Sequence, residues 1–381
     1  MLPFDDAALD ALREEGDPAA DAVVATVYAQ GKEAVRALNA YTRGLEQNRD
    51  GDPSGYPEVL QELLTSTDPI GTAAGGWDEA LVQAGADLPF HYAVPLAIVL
   101  QLGTMPVLYA ARRGVEVIGF TGRLKTEANR RSVETAQMVF DVNRRGGLQP
   151  EGCGRRSCQR VRLMHASVRY FIQRSGRWDP ELGVPINQED LLGTLYSFSV
   201  LIVDGITRMG GAIPETEAEA FYQRWRAAGE LMGIRPEIIA PDLATARRHY
   251  ERIQSRQFGP SPTNAALTEA WIRENHKSVL GLVSEEQIGE AMRFFIGTDA
   301  ADALSLPGTP EDGRFARAHR RVFRKMDRLF PRGSRRRQAT DTATTEFIRS
   351  WYLAERGPRR PTFALLEGLR DRRASPRSPA G

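Results

Sequence analysis

The sequence predicts an all-α protein, and three observations carry that reading. Apolar side chains recur at helical spacing in one segment after another. No run alternates apolar and polar residues as a half-buried strand would. No period repeats along the chain, which excludes a solenoid or propeller. The 381 residues can bury a large core, as one big domain or two.

Residues 5–50 read as two helices. DDAALDALREEG ends at Gly16-Asp17-Pro18, and a second runs from Ala19 to Asn48 with a break at Gly31. DGDPSGYP (50–57) is a loop, PEVLQELLTSTDP a short helix, and Gly75–Ala84 leads through Trp77 into another. Pro89–Leu102 and Met105–Arg113 form the first strongly buried layer. The apolar stretch Ala93–Ala110 is about membrane length. It holds Pro95, Gln101, Gly103 and Pro106, so it reads as a broken core helix and no membrane span is expected. Gly122–Arg145 is a long helix, followed by the glycine-rich loop GGLQPEGCG and a helix over Arg155–Arg174. RWDPELGVPIN is a turn region. Helices then follow at Gln188–Arg208, Glu215–Met232, Pro241–Gln257, Asn264–Asn275, Glu285–Ile296 and Arg314–Leu329. Beyond Pro331 the composition shifts to Arg, Pro and Ser. One helix is expected at Thr342–Glu355, with a disordered tail from about Ala374. The expected division is a helical domain over residues 1–330 and an extension over 331–381.

Fifty basic side chains face forty-nine acidic ones, and this balance argues against a nucleic-acid binder. Only four of the cations are lysine. The charge runs GSRRRQ (333–338) and RGPRRP (356–361) read as solvated tail charge, because few aromatics accompany them. Cys153 and Cys158 are too few for a disulfide framework or a four-ligand zinc site, so they read as reduced thiols. The N-terminus is acidic and helix-forming, without the basic start and apolar centre of an export signal, and the expected location is cytoplasmic. No GxSxG elbow, P-loop or GxGxxG before a helix occurs.

Two helices carry polar groups where a core stripe should be oily. On Arg155–Arg174, the side chains of Val161, Met164, Val168, Phe171 and Ile172 share a face. His165 falls at its edge, with Arg162 three residues before it and Arg169 four after. The bland reading is a satisfied core histidine. The sharper one is a metal or haem ligand, since neutral imidazole binds iron well. The two guanidiniums beside it have the geometry to pair with haem propionates. On Gly122–Arg145, Arg131 and Thr135 stand i, i+4 in line with Met138 and Val142. They are either a buried arginine paired with a carboxylate such as Glu127 and a threonine bonded to its own helix, or groups beside a cavity.

The segments GRLKTEANRRSVETAQ, GGLQPEGCGRRSCQRVRLMHASVRYFI, GVPINQEDLLGTLYSFS and EAEAFYQRWRAAGELMGI together resemble the family of latex clearing protein (rubber oxygenase) and MpaB-type oxygenases. The resemblance runs from about Asp5 to Leu306. It implies a single large helical domain with a globin-like core around one haem b, and O₂-dependent cleavage of an isoprenoid C=C bond. By position, His165 matches the family's proximal haem ligand, while Arg131 and Thr135 match its RxxxT motif. Glu134 stands where the rubber oxygenase has a lysine able to occupy the distal iron site. A carboxylate there leaves the iron's sixth position open, handles a proton, or pairs with Arg130 at i, i+4. Glu116 and Glu127 are both near the position of the family's catalytic glutamate.

The expected function is therefore a haem b oxygenase acting with O₂ on a small apolar unsaturated molecule, a terpenoid or lipid. The alternative is a haem or hydrophobic-ligand binder without turnover on the same fold. His165 would hold the iron, with its second ring nitrogen donating to a carbonyl or carboxylate. Arg131, Glu134 and Thr135 would face the haem. The apolar helices 89–110 and 188–206 would wall the pocket.

Overall fold

The structure is a computed structural model describing residues 4–43, 58, 77–120, 128–278, 281–308, 320–322, 325 and 328–356. Side chains at 42–43, 128–133, 278 and 351–356 lie outside that description. The described residues are helical with no β-strand; a lone bridge joins Ala111 to Phe258.

Helix starts follow local chemistry. Asp5 caps α1 (Asp6–Arg13) by accepting from the Ala8 N–H. Asp17 caps α2 (Pro18–Gln30), where Pro18 enters at the first turn, and Gly31 separates α2 from α3 (Lys32–Arg43). The break expected at Gly31 is there.

The chain continues with α4 (Glu79–Ala84), α5 (Asp87–His91) and α6 (Ala93–Val99). A π-helical turn over Leu100–Thr104 joins α6 to α7 (Met105–Ala110). Pro106 accounts for the wider turn. It has no N–H, and its ring crowds the carbonyl four residues back, so one looser turn relieves the helix. The Gln101 carbonyl accepts instead from Trp271 Nε1 at 2.9 Å.

After α8 (Val115–Phe120) come α9 (Ala128–Asn143), α10 (Cys153–Arg174) and α11 (Gln188–Arg208). Then follow α12 (Glu215–Leu231), α13 (Leu243–Gln257), α14 (Pro262–Ser278), α15 (Glu285–Ile296), α16 (Thr298–Ala303) and α17 (Arg335–Arg356).

α11 is the hub, packing on α1, α6, α12, α13 and α15. α10 lies against α9, α2 and α12. Ala93–Ala110 and Gln188–Arg208 are long and apolar enough to cross a membrane, yet 67% and 72% of their residues are buried inside the fold. They are core helices, the first one broken as its prolines require.

Two expectations change. The helix placed at Thr342–Glu355 begins at Arg335, and it packs on α5, α6 and α9 instead of standing apart. The reason is Arg337, one of the supposed solvated charges. It is buried, bonds Asp341 Oδ1 at 2.9 Å one turn on, and is followed on the docked face by Ile348. The helices expected at 57–69 and 314–329, and the tail from residue 374, lie largely or wholly outside the described residues. Both cysteines are free, and burial pushes the Cys158 thiol up to about 12.

Candidate functional site

α7, α8, α9, α10, α11, α12 and α13 enclose a cavity of about 330 Å³. That lies at the lower end of the range for ligand sites, roughly 300–1,000 Å³. Its wall is mainly apolar. Met105, Met138, Met164 and Met232 contribute flexible thioethers, with Phe198, Trp225, Tyr250 and Phe258 as the aromatics.

The polar groups arrive on a few turns. α9 brings Glu134 and Thr135 to the wall beside Met138, and α10 brings Val161, Met164, His165 and Val168. Thus Val161, Met164 and Val168 of the stripe read from the sequence face a cavity together with His165, whereas Phe171 packs against Tyr28 and Ile172 is buried elsewhere. Arg131 lies on α9 one turn before Thr135, but its side chain is outside the described residues, as is Glu127. Glu116 lies off this cavity. It faces a separate, open pocket, where it accepts from Thr263 Oγ1 at 2.8 Å.

The His165 ring is partly exposed because one edge opens on the cavity, while Nδ1 is sealed and has no hydrogen-bond partner. The expected donation to a carbonyl or carboxylate is absent: no acceptor reaches that nitrogen. Burial pushes the imidazole down to about 3, helped by Arg169 and opposed by Asp17. The ring is therefore neutral at ordinary pH and keeps a lone pair to offer.

The pairing of Arg162 and Arg169 with a cofactor's carboxylates is corrected by the structure. Neither lines the cavity. Arg162 donates to Asp17 through Nε at 2.5 Å and Nη2 at 2.9 Å, both side chains being buried. Arg169 donates from Nε to Asp21 at 2.8 Å and from Nη1 to the Ile186 carbonyl at 2.9 Å. Helical spacing put these guanidiniums beside His165 correctly. It did not show that α2 covers that flank with two aspartates.

Sequence reasoning missed a second set of wall groups. Glu189 and Asp190, in the first turn of α11, reach the cavity and share the Arg13 guanidinium at 3.1 Å each. Burial pushes the Asp190 carboxyl up, against the pull of Arg13. Arg256 Nε and Gln257 Nε2 also donate to Glu189. Ser197 Oγ and Tyr250 Oη, both at the wall, lie 2.9 Å apart. The NQED run was a visible signal, a helix cap followed by two carboxylates ahead of an apolar helix.

Two observations fit a haem held by His165: an orphaned imidazole facing an apolar cavity, and a nitrogen donor that stays neutral. Among the described residues no three His, Cys, Asp or Glu side chains cluster as a metal site.

The sequence profile described as "ER-bound oxygenase mpaB/B'/Rubber oxygenase, catalytic domain" matches residues 82–325. The chain is similar to the rubber oxygenase of Streptomyces sp. (strain K30), with 23% identity over 304 residues, 77% of this chain and 71% of that protein. Its fold is similar to the structure of latex clearing protein LCP in the closed state. The TM-score is 0.74 at 22% identity, covering 90% of this chain and 91% of that one.

Proposed function

The chain belongs to the family of ER-bound oxygenase mpaB/B' and rubber oxygenase catalytic domains, and from that premise we propose that it is a haem b-dependent oxygenase. Its substrates on this reading are O₂ and a small apolar unsaturated molecule of the isoprenoid or lipid class. One observation carries the proposal: a neutral imidazole whose sealed Nδ1 has no hydrogen-bond partner and whose ring opens on an apolar cavity.

His165 is the residue that would hold the iron. Haem bound there supplies the one-electron and O₂ chemistry that amino-acid side chains lack. The remaining roles belong to the chain. The methionines and Phe198, Trp225 and Phe258 exclude water and accept an apolar substrate by burial alone. Thr135 has a hydroxyl able to donate a hydrogen bond into the cavity, and Glu134 has a carboxylate able to take or give a proton there. Asp190 is held between Arg13 and the Asn187 amide, which keeps a carboxylate in an apolar wall without leaving it unpaired.

Absorption spectroscopy tests this directly. Purified protein should show a Soret band at about one haem per chain, as one histidine ligand implies. His165→Ala should abolish or strongly reduce haem retention. A colourless protein that cannot be reconstituted with haem overturns the reading.

A second reading, a haem or hydrophobic-ligand binder without turnover, is favoured by Glu134 at the wall where the rubber oxygenase is expected to carry lysine. Incubating reduced protein with O₂ and unsaturated isoprenoids separates the two. Oxygen uptake with carbonyl products marks the enzyme, and binding without consumption marks the binder.

A further inference from the structure

Residues 4–30 precede the stretch matched to the family, which begins at residue 82. They nevertheless hold the cavity wall at several places. Asp17 caps α2 through Ala20 N while accepting both Arg162 contacts. One turn on, Asp21 accepts from Arg169. Arg162 and Arg169 flank His165 on α10, so the two pairs grip this helix on either side of the imidazole.

The grip extends further. Arg169 also holds the carbonyl of Ile186, a wall residue at φ 54. A β-branched side chain in that left-handed region is strained and persists only where its surroundings fix it. Gln188 Nε2 joins the Gly16 carbonyl at 2.6 Å to the Gly233 carbonyl at 3.0 Å, tying the N-terminal segment to the turn that carries Met232 and Ile234. Gly233 has φ 95, and a Cβ there would meet Asp17 Oδ2 at 2.1 Å, so the turn fits against the aspartate only as glycine.

A metal-binding histidine is ordinarily oriented by a carbonyl or carboxylate on its second nitrogen. His165 has none, and its direction must come from the placement of its helix. We propose that Asp17 and Asp21 are positioning residues for His165: through Arg162 and Arg169 they set the rotation and position of α10 and so aim the ring into the cavity. They touch no ligand themselves. The N-terminal segment is thus part of the working site although it lies outside the family's catalytic stretch. The haem arm of the following test rests on the proposed function; the exchange arm does not.

Asp21 is partly exposed, so Asp21→Asn removes its pair with little risk to folding, and Asp17→Asn is the stronger companion. In haem-free protein, amide hydrogen exchange across residues 161–172 should quicken about tenfold in Asp21→Asn, with circular dichroism unchanged. Asp21→Glu should restore slow exchange. In haem-loaded protein, transfer of haem to a scavenger globin should quicken in both variants. In His165→Gly protein supplied with imidazole, Asp21→Asn should make no further difference, because free imidazole orients itself. Unchanged exchange in α10 overturns the inference. So does an equal effect of Asp21→Asn on haem loss with and without the tethered ring, which would make the pair merely structural. Wild-type protein without a Soret band, but with the exchange response, overturns the oxygenase reading and leaves the positioning role standing.

Discussion

His249 is, like His165, a histidine kept neutral by burial, and it makes a pH prediction without reference to any ligand. Its ring stacks on Phe4 at 3.5 Å between centroids, and Nδ1 lies 3.4 Å from Tyr196 Oη. Burial, helped by Arg248 and opposed by Asp242, pushes it down to about 4. The unfolded chain therefore binds a proton that the folded one refuses between about pH 6.5 and 4. Stability contributed here is complete above the upper value and is lost as the pH falls towards the lower. The thermal midpoint should fall across that window, and His249→Phe, which keeps the stacked ring, should fall less. An equal fall in both proteins would show that His249 is not the titrating group. Residue identity was legible where a side chain sits on its own helix face: Thr135 and His165 reach a cavity from the stripes their spacing put them beside, and Glu134, singled out by the resemblance alone, lines it too. It was not legible where the partner is remote. Arg162 meets Asp17 across 145 residues, and no local pattern carries that information.

At the scale of elements, Arg224 on α12 shows how one side chain can end another helix. It is fully buried without a carboxylate, and its three nitrogens donate to the carbonyls of Val142, Val82 and Arg144. Two of those carbonyls belong to the C-terminal end of α9, where helix acceptors otherwise go unpaired. Removing the guanidinium leaves buried acceptors unmet at about 1–3 kcal/mol each. Arg224→Met should therefore lower the urea midpoint by several kcal/mol equivalents with an unchanged slope, and a loss below about 1 kcal/mol would contradict the assignment. Helix existence was readable from periodicity: Gln188–Arg208 and Glu285–Ile296 begin and end where their patterns do. The start of α17 was not, because its first turn, RRRQ, reads as surface until Arg337 is seen to be buried against Asp341.

For the whole molecule, the docked position of α17 makes a prediction that a solvated tail would not. Ending the chain after Ser334 should uncover α6, lower the thermal midpoint by several degrees and still spare the haem binding proposed above, since none of the described side chains of α17 lines the cavity. A truncated protein as stable as the full chain would mean that the helix is not part of the domain. Loss of haem together with an unchanged fold would favour a role for the tail in the site itself. The all-α class and the single domain were legible in the sequence as a whole. The closing of that domain by its two ends was not, since the partners of α1, α2 and α17 lie far away along the chain.

The ion pairs of the N-terminal segment have a consequence for the order of events in synthesis. Arg13, Asp17 and Asp21 leave the ribosome first, but their partners follow 145 to 177 residues later, and the contacts of Asp6 with Arg252 and Arg256 span 246 and 250. Closing such loops is slow, and nothing can lock in place before the last partner exists. These residues, made before their partners, are thus among the last to find their seat. On the proposed reading, a nascent chain shorter than about Arg256 has its histidine but not the finished grip around it, so durable haem capture becomes a late, nearly post-translational event.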